Sequence, residues 1–243
     1  MVSKSELKLI TSLQQKKYRN KYQLFVVEGI KGVQEILNSS FTLHKLFCTE
    51  NHLFDVKPEH FQLISEKDLQ KMSSLSSPNK VLAVFKIPHE KNINLNGLTI
   101  ALDDVRDPGN LGTIIRLCDW FGIENLICSD ATVDCYNPKV VQATMGSLTR
   151  VNIMYTHLVS FLQKQNTSIF IADMNGENVY HTALPQEAIL VMGNEANGIS
   201  DEIFKCATHK ISIPRFGEVQ QTESLNVATA TAILVSEFKR VIK

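Results

Sequence analysis

Hydrophobic and polar positions change their spacing several times along the chain, and each change marks an element. Leu7, Ile10 and Leu13 recur at helical intervals behind Ser3-Lys4-Ser5-Glu6, whose serine and glutamate have the spacing of a capping box, so a helix is predicted there. The run Leu24-Phe25-Val26-Val27 is strand-like and stops at Glu28-Gly29. A helix around 30–38, strands near 44–48 and 61–64, a helix opened by Ser65 and Asp68, and a strand over Val81–Phe85 complete a small α/β unit. Residues 87–97 are polar, contain Pro88 and Gly97 and show no apolar period, so they read as a connection. The expected division is therefore a domain over 1–90, a linker at 91–97 and a second domain over 98–243. In that second part strands are expected at Leu98–Leu102, Leu126–Cys128, 151–155, 168–173, 189–192 and Ile211–Ile213. Helices are expected over about 110–122, 138–146, 157–164 and 225–242. Strands alternating with helices predict a mostly parallel sheet covered on both faces.

Composition removes several classes of protein. No window approaches the 18 uninterrupted apolar residues of a membrane span. The opening MVSKSELKLITSLQQ has neither the apolar centre of a signal peptide nor an Arg-rich transit pattern, so a cytoplasmic protein is expected. Cys48, Cys118, Cys128, Cys135 and Cys206 form no CxxC pair and have no His-x-x-x-His companion. They read as reduced core thiols, with no metal expected. The 25 basic and 25 acidic residues cancel, but their distribution is uneven. Residues 1–22 hold Lys4, Lys8, Lys16, Lys17, Arg19 and Lys21 against the single acid Glu6. Lys16, Lys17, Arg19 and Lys21 are candidate phosphate contacts, because clustered positive charge releases counterions from nucleic acid; a solvated helix face would look the same.

Three stretches exceed what sheet connections require. The first, Asp104-Val105-Arg106-Asp107-Pro108-Gly109-Asn110-Leu111-Gly112-Thr113-Ile114-Ile115-Arg116, follows a strand and enters a helix. Pro108 and Gly109 make the turn, Asn110 is placed to cap the helix, and Arg116 requires an anionic or polar partner if buried. The stretch lacks both the G-x-G-x-x-G fingerprint and a Walker Gly-Lys-Ser/Thr, which disfavours a nucleotide-dependent oxidoreductase. The second, Met192-Gly193-Asn194-Glu195-Ala196-Asn197-Gly198, puts one carboxylate just beyond a strand's end, where open α/β sheets bind ligands. A plain turn would use the same glycines and asparagines. The third joins Ile211-Ser212-Ile213-Pro214 to Ser224-Leu225-Asn226-Val227-Ala228, with Ser224 the expected cap of a final helix. That helix reads equally as a core or interface element.

In this order, N-x-G-x-x-x-R, G-N-E-x-x-G and I-x-I-P…E-S-L-N-V-A resemble the three motifs of the SpoU, or TrmH, family of RNA 2′-O-ribose methyltransferases of the SPOUT superfamily. The resemblance covers most of 98–243. The part from Lys17-Tyr18-Arg19 to Glu28-Gly29 is similar, more loosely, to the family's ribosomal-protein-like substrate-binding domain. It implies an α/β trefoil-knot methyltransferase domain behind a smaller α/β RNA-binding domain. It implies S-adenosyl-L-methionine as cofactor, contacted by Met192, Gly193, Ile213, Leu225 and Asn226. It places Asn110, Arg116, Glu195, Ser224 and Asn226 around the acceptor ribose, leaving open whether Arg116 or Glu195 takes the proton. It also implies a homodimer and an RNA substrate, large-subunit rRNA ahead of tRNA. Ala196 departs from the glycine common at its position, which would matter if that position needed a positive φ. The rival of another class is a non-catalytic RNA-binding or ribosome-assembly protein with the same fold.

Overall fold

The computed structural model describes residues 2–89, 93–218 and 224–240. Two units emerge: Met1–Glu90 together with Asp134–Thr149, and Lys91–Val133 together with Arg150–Lys243. The segment 134–149 lies in the second half of the sequence but packs in the first unit.

In the first unit, α1 (Lys4–Ser12) begins with the capping box read from the sequence: Ser3 accepts from the Glu6 backbone, and the Glu6 carboxylate returns to the Ser3 backbone. A second helix, α2 (Lys16–Tyr22), was not expected, because Lys16-Lys17-Tyr18-Arg19-Asn20-Lys21-Tyr22 has no apolar stripe; it ends at Gln23 with a left-handed φ of 53°. The strands β1 (Leu24–Glu28), β2 (Leu43–Cys48), β3 (Phe61–Leu63) and β4 (Val81–Lys86) form a sheet in the order β1-β4-β2-β3, with only β2 and β3 parallel. One face of β1 and β4, with Val26, Leu82 and Val84, packs on Ile10 and Leu13 of the α1 region and on Leu69 and Met72 of α4 (Glu66–Met72). The opposite face meets α3 (Ile30–Leu37) and the contributed segment: Phe25 lies 4.9 Å, centroid to centroid, from Tyr136. This is why 134–149 belongs here. Its helix α6 spans Pro138–Thr144, and its exit is shaped by Gly146. A Cβ at Gly146 would come within 2.7 Å of the Glu35 Cβ, and its φ is +93°, so two constraints favour glycine.

In the second unit, β5 (Leu98–Leu102), β6 (Asn125–Ser129), β7 (Asn152–Thr156), β8 (Ser168–Asn178), β9 (Ala188–Met192) and β10 (His209–Ser212) form a sheet in the order β10-β8-β9-β5-β6-β7. Every neighbouring pair is parallel, as the alternation predicts. The central strands β5, β6 and β9 are buried throughout, as mostly apolar strands covered on both faces must be, although Thr99, Asn125 and Ser129 are polar. On one face α7 (Leu158–Leu162) and α8 (Asp201–Phe204) cover Ile127, Ile169, Ile189 and Val191. α5 (Pro108–Trp120) and α9 (Val227–Arg240) pack together, with Phe238 set edge-on to Phe170 of β8.

Besides α8, which was not expected, and shifts of a few residues at the ends of α6, α7 and β10, three differences bear on the site. α5 is capped by Asp107, whose carboxylate accepts from the Asn110 backbone, so Asn110 sits inside the first turn rather than at the cap. α9 is capped by Asn226, which accepts from the backbones of Ala228 and Thr229, and not by Ser224. Strand β8 continues through a polar tail to Asn178; the tail crosses a register shift against β10, pairs again only at Glu177 and Asn178, and does not alternate. The knot implied by the resemblance would be closed by the stretch between β10 and α9, where residues 219–223 lie outside the described residues.

Candidate active site

The second unit's sheet reverses its winding between β5 and β9. From β5 the chain proceeds to β6 on one side, and from β9 it proceeds to β10 on the other, leaving a crevice beyond the two strands' carboxyl ends. Leu102 and Met192 are register partners, and the Asp103 backbone donates to the Met192 carbonyl at 2.9 Å. The two following loops are tied together. Asn194 donates through Nδ2 to the Asp104 carbonyl at 2.7 Å, and the buried Asp103 carboxylate accepts from the Ser200 backbone at 2.8 Å. Two motifs separated by some eighty residues of chain are thereby brought to one place.

The loop after β9 is a tight hairpin. Asn194 and Gly198 exchange two backbone hydrogen bonds of 2.9 Å, and the Asn194 side chain accepts from the Ala196 and Asn197 backbones. A Cβ at Gly193 would lie 2.5 Å from the Gly198 carbonyl carbon, so a side chain there has no room. Ala196 is not among the residues with positive φ, and its departure from glycine introduces no backbone strain.

From this hairpin a directed hydrogen-bond relay runs into α9. Asn110 Nδ2 donates to Glu195 Oε1 at 2.5 Å, and Asn226 Nδ2 donates to Asn110 Oδ1 at 2.9 Å. The polarity has a cause. Asn226 Oδ1 is committed to two backbone N–H groups of α9, which leaves its Nδ2 to donate. Asn110 must then receive through Oδ1 and donate through Nδ2, and Glu195 must accept. A helix cap thus fixes the carboxylate's role two residues away along the relay.

Beside the relay is a cavity of about 670 Å³. Its walls come from three neighbouring strands and one helix: Ala172–Asn175 within β8, Met192–Ile199 at and beyond the end of β9, Ile211–Gly217 at and beyond the end of β10, and Ser224, Leu225, Val227, Ala230 and Leu234 at α9. Its size is that of a small-molecule site. Met192, Gly193, Ile213 and Leu225, expected at the cofactor, all line it, as do Glu195 and Ser224. Asn226 was expected there too; its side chain instead engages Asn110. Asp173, Met174, Asn175, Arg215 and Phe216 line the cavity without having been singled out in the sequence: the first three lie in the polar tail of β8, which carries no periodic signal, and the last two in the irregular segment after β10.

Arg116 is exposed on α5 and has no hydrogen-bond or ion-pair partner among the described residues, so no burial penalty arises. Six residues after Asn110, it lies roughly 240° round the helix from it. Lys16, Lys17 and Lys21 are exposed on α2, with the Lys17 and Lys21 ammonium groups 4.8 and 5.4 Å from the Tyr18 and Tyr22 ring centroids. Arg19 departs from that surface. It is 2% exposed and donates through Nε and Nη2 to Asp134, and through Nη1 to the carbonyls of Leu13 and Gln14. A guanidinium fully engaged by buried acceptors has nothing to offer a phosphate. Among the described residues no cluster of three or more His, Cys, Asp or Glu could hold a metal ion. Burial pushes the Cys118 thiol well above the usual cysteine range, so it is no thiolate nucleophile.

A sheet with its crevice beyond β5 and β9, a relay on one side and a small-molecule cavity on the other match a known class. Residues 97–236 match the model of the SpoU rRNA Methylase family, and residues 4–83 match that of the MRM3-like substrate binding domain. The chain belongs to the SpoU rRNA methylase family. Among its relatives is the 23S rRNA (guanosine(2553)-2′-O)-methyltransferase RlmP of Bacillus subtilis, 30% identical over 237 residues, or 92% of this chain and 91% of the relative. A TrmH-family protein from Porphyromonas gingivalis has a similar structure, with a TM-score of 0.90 and 38% identity over 99% of each chain. The AdoMet-bound rRNA methyltransferase from Sinorhizobium meliloti gives a TM-score of 0.86 at 27% identity, covering 100% of this chain and 98% of that one.

Proposed function

We propose that this chain transfers the methyl group of S-adenosylmethionine to a ribose 2′-hydroxyl of RNA. The observation that carries the reading is the relay Glu195–Asn110–Asn226 set against the cavity that Glu195 shares with Gly193, Ile213 and Leu225. The cavity suits the cofactor: apolar Met192, Ile213, Leu225 and Leu234 offer faces for a purine, while Asp173, Glu195 and Ser224 offer polar partners. Gly193 lets the Gly198–Ile199 backbone pack closely against the strand end that lines the cavity. When bound, the cofactor supplies a methyl carbon already activated by its sulfonium, so no metal is needed.

The protein's own residues then have two tasks, alignment of the sugar oxygen and removal of its proton. Asn110 is held in one orientation by its two partners, so its amide presents a fixed edge to the acceptor sugar. Glu195 keeps Oε2 outside the relay, with no hydrogen bond among the described residues, as a proton acceptor or ribose contact. Arg116, exposed on α5, meets the phosphate of the acceptor nucleotide; its planar fork of N–H donors suits a bidentate phosphate contact, a positioning role. Ser224, on the cavity wall, contacts the sugar. Lys16, Lys17 and Lys21 supply phosphate contacts from the substrate-binding unit.

The relatives' names support large-subunit rRNA as the substrate, and the reading includes a cytoplasmic homodimer built on the α9 region. Among the described residues no helix is long and apolar enough to cross a membrane. The test is transfer of labelled methyl from S-adenosylmethionine to RNA of cells lacking this gene, followed by alkaline hydrolysis. A blocked 2′-hydroxyl makes the next linkage alkali-resistant, so label is expected in surviving dinucleotides and absent with Arg116→Ala. Label on mononucleotide bases, or none at all, would overturn the reading.

A further inference from the structure

The cavity's rim carries apolar surface that cofactor binding leaves unexplained. Phe216 is 83% exposed and Met174 64%, and both line the cavity. Tyr180, 38% exposed, turns its ring toward Phe216 with centroids 6.4 Å apart and planes 32° from parallel. Arg215 donates through Nη2 to the Met174 sulfur at 3.0 Å. The grouping follows from the sheet. Strands β8 and β10 run parallel with Ser212 opposite Asn178, so the turn holding Tyr180 and the segment holding Arg215 and Phe216 leave the sheet side by side.

We propose that Phe216, backed by Tyr180 and Met174, is a stacking platform for an unpaired base of the RNA strand that presents the acceptor ribose, with Arg215 adding positive charge beside it. The inference rests on the reading of the site as a ribose methyltransferase. Phe216 and Glu195 line one cavity, so a strand whose sugar reaches Glu195 passes the exposed ring. Proteins that read RNA splay single-stranded bases onto aromatic faces, and such stacking tolerates any base. The positive charge of Arg215 suits the same strand. A protein-sized partner would need far more apolar area than one phenyl ring, one thioether and a partly covered phenol supply.

The experiment uses the full chain and RNA from cells lacking this gene. Trp120, the one tryptophan, is replaced in the reporter by phenylalanine, and Phe216→Trp then becomes the sole indole. RNA is expected to quench its fluorescence, with or without cofactor. In a separate Phe216→Ala variant, KM for RNA is expected to rise by about 5- to 150-fold while the dissociation constant for S-adenosylmethionine stays within about twofold. Phe216→Tyr should restore the wild-type KM. An unchanged KM in Phe216→Ala would overturn the platform. So would quenching by cofactor alone, which would make the ring a cofactor lid, or a loss of dimer by light scattering, which would make it a subunit contact. If the wild-type protein transfers no methyl at all, the reading of the site falls, and quenching by RNA still judges the platform separately.

Discussion

Replacing Asn110 by aspartate keeps the side chain's shape and reverses one polarity. The relay's donor to Glu195 becomes an oxygen at hydrogen-bond distance from a carboxylate, while Asn226 continues to donate to the other oxygen. Two carboxylates in contact cannot both stay ionised: the pair keeps a proton, or the side chains part. At about 3 Å and an effective dielectric near 20, the repulsion would be about 5 kcal/mol. Proton uptake caps it, because each pH unit between about 3.9 and 7 is worth about 1.4 kcal/mol, giving a ceiling near 4 kcal/mol at neutral pH. Glu195 is exposed, so solvent lowers the figure further. A fall in kcat/KM of about 10- to 300-fold at pH 7 is expected. Initial-rate methyl transfer between about pH 5.5 and pH 8.5 should show the deficit shrinking toward acid, where the shared proton restores the hydrogen bond, and growing toward alkali. The double variant Asn110→Asp/Glu195→Gln is more telling still. The introduced amide donates to the introduced carboxylate, so the relay is whole again with unchanged net charge. If the single variant fails through the clash of two carboxylates, the double variant loses the pH-dependent part of the deficit, and what remains measures the missing Asn110 amide and Glu195 carboxylate together. A single variant within about threefold of wild type, equally so at every pH, would refute the relay as a working part of the site.

Two further outcomes test the scaffold around it. Gly193→Ala drives a methyl group into the backbone of Gly198 and Ile199, which cannot swing aside. The hairpin should lose about 1–3 kcal/mol and the cofactor affinity at least about tenfold, by thermal melting and titration calorimetry; normal cofactor binding would contradict the close packing. Arg19→Met strands the Asp134 carboxylate in the core, with an expected loss of about 3–5 kcal/mol in urea unfolding. Arg19→Met/Asp134→Leu should recover much of it, and a loss below about 1 kcal/mol in the single variant would show the pair to be idle.

What the sequence reveals here depends on how local the cause is. The apolar runs of β5, β6 and β9 predict buried parallel strands because nothing but a doubly covered sheet hides them. The capping box at Ser3 and Glu6 is written in four consecutive residues and forms as read. The caps of α5 and α9 are misplaced because several polar residues compete within one turn, and the winner is decided by geometry: Asp107 over Asn110, Asn226 over Ser224. Arg19 sits among lysines and reads as one more surface charge. Its burial depends on Asp134, a partner 115 residues away that no local pattern announces. The relay was legible as three separate polar residues, but its direction was not. That required the fact that Asn226 spends its oxygen on a helix end. The cavity's β8 wall was missed because residues 172–176 fall in the register shift between β8 and β10 and carry no periodic signal.

The loan of residues 134–149 to the amino-terminal unit bears on how the chain is made. Residues 1–90 leave the ribosome first, yet one side of their sheet still awaits Tyr136 and the helix behind it. At 5–20 residues per second, the roughly 60 intervening residues delay that cover by about 3–12 s, during which Phe25 and its neighbours are open to wrong associations. A gene divided at the linker would therefore separate a half-clothed sheet from its missing helix, and the two halves would have to find each other before either was finished.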